Sequence, residues 1–290
     1  MKYRIRHTTT YDYGESVDLA THMLHLKPRT LPHQSVASAD LDTAPAAARC
    51  THGTDHFGNS VSWLFIDLPH AEFEVRLSAS VEVEFPAPPD ASATPAWETV
   101  AAAVRASGRD TWQVSEFVFA SPMAPADAAA GAYAAVSFPT DRPVLVGLLD
   151  LMARIRRDFT FRAGVTTIAT PVSQVLKQRT GVCQDFTHVM IAGLRALGLP
   201  ARYVSGYIRT RPPPGGVARR GADQSHAWVS VWLGTAHGWI DLDPTNNLLV
   251  QDEHVVLGWG RDYGDVSPVR GVILGGGTHT LSVNVDLEPV

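Results

Sequence analysis

The chain of 290 residues contains two cysteines, and their settings differ. Cys183 opens the run 183-CQDFTHVMIAGLRALGLP-200 and follows Gly181 and Val182. Val182, Phe186, Val189, Met190, Gly193, Leu194 and Leu197 recur at helical spacing, and Gly198 with Pro200 supplies a stop. The spacing predicts a buried helix with Cys183 in its first turn. At that place the helix dipole favours a thiolate, and unpaired backbone N–H groups can hold an oxyanion. Cys50 stands between Arg49 and Thr51 in β-rich sequence, with no assigned partner, and is expected to be structural or incidental.

A thiol nucleophile needs a base, and the base needs an acid to orient it. The segment 225-SHAWVSVWL-233 alternates, with Ala227, Val229, Val231 and Leu233 on one face and His226, Trp228, Ser230 and Trp232 on the other. In 238-GWIDLDPTNN-247, Ile240 and Leu242 point inward and Trp239, Asp241 and Asp243 point oppositely, with Pro244 ending the strand. A two-residue type II′ turn at Gly234-Thr235 sets His226 opposite Asp243 and Trp228 opposite Asp241. Cross-strand neighbours stand about 4.5–5.5 Å apart at Cβ, close enough for Asp243 to accept a ring N–H of His226. A longer loop closed by His237-Gly238 makes the pairing diagonal, and both aspartates still share a face with His226.

The ordered set Gly181-Val-Cys183-Gln-Asp185-Phe, His226-Ala-Trp228-Val, and Gly238-Trp239 with Asp243-Pro-Thr245 resembles the transglutaminase-like cysteine-enzyme superfamily. The resemblance implies Cys183 as nucleophile, His226 as general base and acid, and Asp243 as the orienting acid, with a family core over about 140–250. The turn Phe57-Gly58-Asn59 and the segment 261-RDYGDVSPVRGV-272 are similar to the flanks of the bacterial branch. No calcium loop of the Asp-x-Asp-x-Asp-Gly type is present, so calcium activation is not carried over. The resemblance implies a thioester intermediate and amide or peptide hydrolysis. The alternatives are amine transfer to a protein glutamine and a catalytically silent binding module. Backbone N–H of Cys183 is the expected oxyanion donor, and Gln184 is adjacent to it. Trp228, Trp232 and Trp239 either wall the cleft or pack under the N-terminal region.

The elements that must position these residues are legible as an α+β chain. Residues 1–86 read as an antiparallel β-sandwich-like domain. Within it, 72-EFEVRLSASVEVEF-85 places Phe73, Val75, Leu77, Ala79, Val81, Val83 and Phe85 on one face. The Pro- and Ala-rich stretch after it opens a linker or crossing segment over 87–112. A transglutaminase-like (papain-like) α+β catalytic core follows over 113–265, and a C-terminal strand segment over 266–290. Helices are expected over 97–108 and 125–136. A clearer one is expected over 142–157, where Val144, Leu148, Leu151, Met152 and Ile155 form a core stripe. Residues 209–224 read as a long loop whose arginines could bind a substrate carboxylate.

Apolar residues make up 45% of the chain and charged residues 18%, as in globular domains that fold alone. A net charge of −5 disfavours nucleic acid and anionic membrane surfaces as partners. The partners expected are a protein, peptide or amide substrate. Two cysteines are too few for a disulfide scaffold or a four-cysteine zinc site. The charged, alternating N-terminus lacks a signal-peptide pattern, and no apolar run approaches the ~20 residues that cross a bilayer, so a cytoplasmic protein with reduced thiols is expected. His22/His25 and His52/His56 have suggestive spacing, but neither is a metalloprotease helix, and no metal or other cofactor is expected. His188 follows Cys183 by five helical residues, roughly 140° around the axis, and is a poor partner for it.

Overall fold

The computed structural model describes residues 1–106, 108, 111–210 and 224–290. Most of the loop expected over 209–224, namely 211–223, lies outside the described residues. The first 83 residues form five strands: β1 (Lys2–Leu24), β2 (Gln34–Ala44), β3 (Arg49–Thr54), β4 (Ser60–Ile66) and β5 (His70–Val83). The alternation in β5 is realised, with Phe73, Val75, Leu77, Ala79, Val81 and Val83 all buried. Strand β1 organises the sheet. Its first half pairs with β5, its second half with β4, and the whole sheet has seven antiparallel strands.

Helices then dominate: α1 (Trp97–Arg105), α2 (Trp112–Ser115), α3 (Ala128–Ala135), α4 (Val144–Asp158), α5 (Val172–Gln178) and α6 (Cys183–Ala196). The expected stripe on α4 is buried at all five positions. Two short strands, β6 (Thr160–Phe161) and β7 (Thr180–Gly181), pair in parallel just before α6. A second antiparallel sheet contains β8 (Ala201–Ile208), β9 (Gln224–Trp232), β10 (Trp239–Asp243), β11 (Leu248–Leu249) and β12 (His254–Gly260). The chain returns to the first sheet with β13 (Val269–Gly275) and β14 (His279–Pro289), which pair with the second and first halves of β1.

The second sheet is the middle layer. Ala227, Val229 and Val231 of β9 face α6 and the helical core, whereas Trp228 and Val204 turn to the other side. There Tyr207, Val255 and Leu257 pack against Tyr3, Ile5, Leu77 and Val285 of the first sheet. The sandwich-like character of the N-terminal half therefore comes from stacking on the core's own sheet, as expected of two antiparallel sheets that each have one apolar face. Asn59 fastens the two sheets. Its side chain donates to the Trp259 carbonyl at 2.8 Å and accepts from the Trp259 N–H at 2.9 Å.

Helix α6 is buried along Asp185–Arg195, as a helix enclosed on all sides must be. Gly193 lets α3 approach: a Cβ there would stand 2.8 Å from the Ala134 Cβ and 2.9 Å from the Ala130 carbonyl oxygen. Alanine in a helix interior ordinarily gains about 1 kcal/mol over glycine. Here the overlap is with backbone, so Gly193→Ala is expected to destabilise the fold by about 1–3 kcal/mol. A lower urea midpoint at unchanged m-value is the measured sign.

Candidate active site

Cys183 is the first residue of α6, with Val182 as N-cap in extended conformation. Val182 has no side-chain cap to offer, and the helix start is tied by the third residue in. Asp185 Oδ2 accepts from the Val182 N–H at 2.8 Å and from Thr166 Oγ1 at 2.7 Å. Burial pushes the Asp185 carboxyl above its ordinary value, against the pull of those two hydrogen bonds. A Cβ at Gly181 would stand 2.6 Å from Asp185 Oδ2, so glycine is the residue that lets this cap close.

His226 lies between the other two residues of the set. It makes a side-chain hydrogen bond with Cys183, and its Nε2 is 2.8 Å from Asp243 Oδ2. With Nε2 on the carboxylate, Nδ1 is the ring nitrogen left for the thiol. Burial works against the imidazolium, but the hydrogen bonds to Asp243 and Cys183 outweigh it and push His226 up to about 10. Asp243 is fully buried. Burial alone would raise its carboxyl, yet its hydrogen-bond partners hold it well below the usual carboxylate range. Oδ2 accepts from His226 and, at 2.7 Å, from Asn246 Nδ2. Oδ1 accepts the Thr245 and Asn246 backbone N–H groups at 2.9 and 3.2 Å.

The hairpin that brings His226 and Asp243 together differs from the two-residue turn. Trp239 pairs with Trp232 and Asp241 with Ser230, which shifts the register by two residues. The Leu233 N–H bonds to the Gly238 carbonyl and the Gly238 N–H to the Gly234 carbonyl, with positive φ at both glycines. The loop is thus the longer one closed at His237-Gly238, and the His226–Asp243 contact is diagonal. A shift of two preserves side-chain parity, so both aspartates keep the expected face. Asp241 Oδ2 accepts from Trp228 Nε1 at 3.0 Å and holds an indole instead of the imidazole.

Beside Cys183 and His226 opens a cavity of about 280 Å³. Its walls are Tyr203 and Ser205 of β8, Tyr263, and Thr9, Tyr11, Leu281 and Val283 of the first sheet. Gln184 also lines it. None of the three tryptophans does: Trp228 is packed between the sheets, Trp232 lies in the helical core, and Trp239 stacks under the Arg202 guanidinium at 4.1 Å.

The remaining histidines have other partners. His188 Nε2 accepts the Tyr263 N–H at 3.2 Å, and burial lowers it to about 4. His22 stacks on Phe73 with centroids 4.2 Å apart, His25 contacts Asp55 at 3.4 Å, and His56 contacts Glu116 at 3.0 Å. His52 sits 2.8 Å from Ser62 Oγ and 3.7 Å from the exposed Cys50 sulfur. Among the described residues, His226, Asp243 and His254 are the group whose ligand atoms converge. A metal ion there would compete with the proton that His226 holds, because only neutral imidazole is a ligand.

His254 and Asn246 went unread in the sequence. His254 Nε2 is 3.5 Å from Asp243 Oδ2, and its ring meets Trp228 edge-on at 5.2 Å. It opens β12, and only tertiary pairing with β8 brings it here. Asn246 had a local signal, since a polar side chain three residues after Asp243 in a Pro-containing turn can fold back on it.

The charge state of this group fixes a pH dependence. Because His226 is raised from 6.5 to about 10, its contribution to stability is complete below 6.5 and is lost as pH rises through about 10. Asp243 is depressed from 3.8, so its contribution is present above that value and lost as pH falls below it. The difference in unfolding free energy between wild type and Asp243→Asn is therefore expected to be largest between about pH 4 and 6.5 and to shrink toward pH 10. Urea titrations of both proteins across that range measure it.

Family models match the chain in two places: the bacterial transglutaminase-like N-terminal region over residues 3–82, and the transglutaminase-like superfamily over residues 140–244. The chain belongs to the transglutaminase-like superfamily. An uncharacterized relative from Mycobacterium tuberculosis is 40% identical over 295 residues, covering 99% of this chain and 93% of that protein. One from Mycobacterium leprae is 31% identical over 287 residues, covering 99% and 98%. The crystal structure of a "putative cysteine protease" from Cytophaga hutchinsonii shares the transglutaminase-like fold with a TM-score of 0.74 at 22% identity, over 99% of this chain and 89% of that one. A protein-glutamine gamma-glutamyltransferase of Pseudomonas aeruginosa is 38% identical over 68 residues, 23% of this chain and 10% of its own length.

Proposed function

We propose that the protein is a thiol-dependent acyl-transfer enzyme that cleaves amide or peptide bonds, with Cys183 as nucleophile, His226 as base and acid, and Asp243 as the orienting carboxylate. The observation that carries this is the unbroken chain of side-chain contacts from a thiol at a helix N-terminus, through a proton-holding imidazole, to a buried carboxylate. The proton that His226 holds on Nδ1 is the one drawn from the thiol, and the sulfur attacks the substrate carbonyl as the thiolate. The negative charge that forms on the carbonyl oxygen meets the backbone N–H of Cys183 at the start of α6. As the C–N bond breaks, His226 returns the proton to the departing amine, leaving a thioester on Cys183. Water then attacks the thioester carbonyl and gives a proton to His226, which hands it to the departing sulfur as the C–S bond breaks, releasing a carboxylic acid and the free thiol.

An amine in place of that water would give a transferred amide, the outcome named for the Pseudomonas relative that matches part of the core. Partition of one thioester between water and added primary amines separates the two. Intact-mass spectrometry against a peptide and amide library tests the whole reading. A mass increase equal to the acyl group, mapped to Cys183, supports it; no adduct with any donor sinks it. Site mapping matters because Cys50 is exposed and alkylatable in its own right. We place the enzyme in the cytoplasm, where both thiols stay reduced.

A further inference from the structure

We propose that the cleft selects substrates carrying a carboxylate next to the reacting amide, bound by Arg156 and Arg209 in a second cavity across His226 from the first; this rests on the thiol reading above. The second cavity, about 400 Å³, shares His226 with the first and is lined by Arg156, Phe161, Arg209, Thr245 and Asn246 among others. Among the described residues no carboxylate lines it. The acids nearest in sequence are already engaged. Asp158 accepts from Arg157 and Tyr133 at 2.8 and 2.9 Å, and Asp243 is taken up by His226 and Asn246. Glu253 faces Arg209 at 3.8 Å and Tyr3 shares a hydrogen bond with it, which leaves other donors of the guanidinium fork for a ligand. Arg156 is exposed and makes no ion pair among the described residues.

Two further observations agree with this. In a chain with a net charge of −5, the charged side chains that line this cavity besides His226 are, among the described residues, the two arginines. Thr245 also lines the cavity, and its Oγ1 has no hydrogen-bond partner. The first cavity is electrically different. Apart from His226, its titratable walls are His7, which burial lowers to about 4 and keeps neutral, Cys183 itself, and tyrosines. The cleft is thus uncharged and apolar on one side of His226 and cationic on the other, and a peptide lying across it would be read by charge on one side only.

The test uses two electrophiles on the full chain, iodoacetyl-Ala-Glu-amide and iodoacetyl-Ala-Gln-amide, which differ by one carboxylate, with Cys183 alkylation followed by peptide mapping. The acidic probe is expected to react about tenfold faster than the neutral one in wild type, as two partly exposed charge contacts would give. That ratio should fall to about twofold or less in the double variant Arg156→Gln/Arg209→Gln, shrink in high salt, and survive in Arg156→Lys, which keeps the charge. Equal rates in wild type, or a ratio untouched by the double variant, overturn the proposal while leaving the nucleophile reading intact. If neither probe labels Cys183 faster than Cys50, the nucleophile reading fails and takes this proposal with it.

Discussion

Cys183→Ala is expected to form no acyl-enzyme with any donor and to turn over amides at least about ten-thousand-fold more slowly than wild type, the residue of rate coming from substrate binding and backbone donors alone. The sulfur is the only atom the substitution removes, and it stands at the helix start where alanine is readily accommodated. His226 keeps its contact with Asp243, and Asp185 keeps the cap, so the site should persist without its nucleophile. Circular dichroism and the urea midpoint should stay near those of wild type, and intact mass after incubation with a donor should show the unmodified chain. A variant that still gains the acyl mass at another residue would remove Cys183 from the mechanism.

Asp243→Asn should cost about a thousand- to ten-thousand-fold in turnover, as does loss of the orienting carboxylate in comparable triads. Three consequences follow from one lost charge. Asparagine does not stabilise the imidazolium, its amide can present N–H to His226 Nε2, and burial then drives the ring toward the neutral form. Breaking a buried charged pair from one side also destabilises the fold by about 3–5 kcal/mol. Asp241→Asn is the control. Asp241 bonds to Trp228 Nε1 and does not touch His226, and an asparagine carbonyl can accept the same indole N–H. Its turnover should stay within about tenfold of wild type. Histidine NMR would show the cause directly, with the His226 titration moving down from about 10 in Asp243→Asn and unmoved in Asp241→Asn.

How far the site could be read in advance depends on whether each residue is placed by its own segment. Cys183 and the helix behind it were legible because helical period, N-terminal glycine and the Gly198 stop lie within one stretch of sequence. Asp243 and His226 are legible by parity, which survives any even shift of register, and that is why both loop readings lead to the same pair. The sequence leaves two loop types open because Gly234 satisfies both equally well, and Gly238 decides between them only through its own positive φ. The tyrosine wall, His254 and the contribution of Thr9 and Leu281 to the cleft depend on strands paired across long stretches of chain, for which no local pattern exists.

The order of synthesis gives the first sheet a further meaning. Leu281 and Val283 wall the cleft from a strand that leaves the ribosome 98 and 100 residues after Cys183 (281 − 183 and 283 − 183). Strand β1, made first, is left with one long edge unpaired until β13 and β14 arrive to fill it. A chain interrupted before residue 279 would already carry Cys183, His226 and Asp243, yet its cleft would lack a wall and β1 would offer an open edge for aggregation. Pairing of β14 along β1 is therefore the same event that supplies Leu281 and Val283 to the cavity wall beside Cys183.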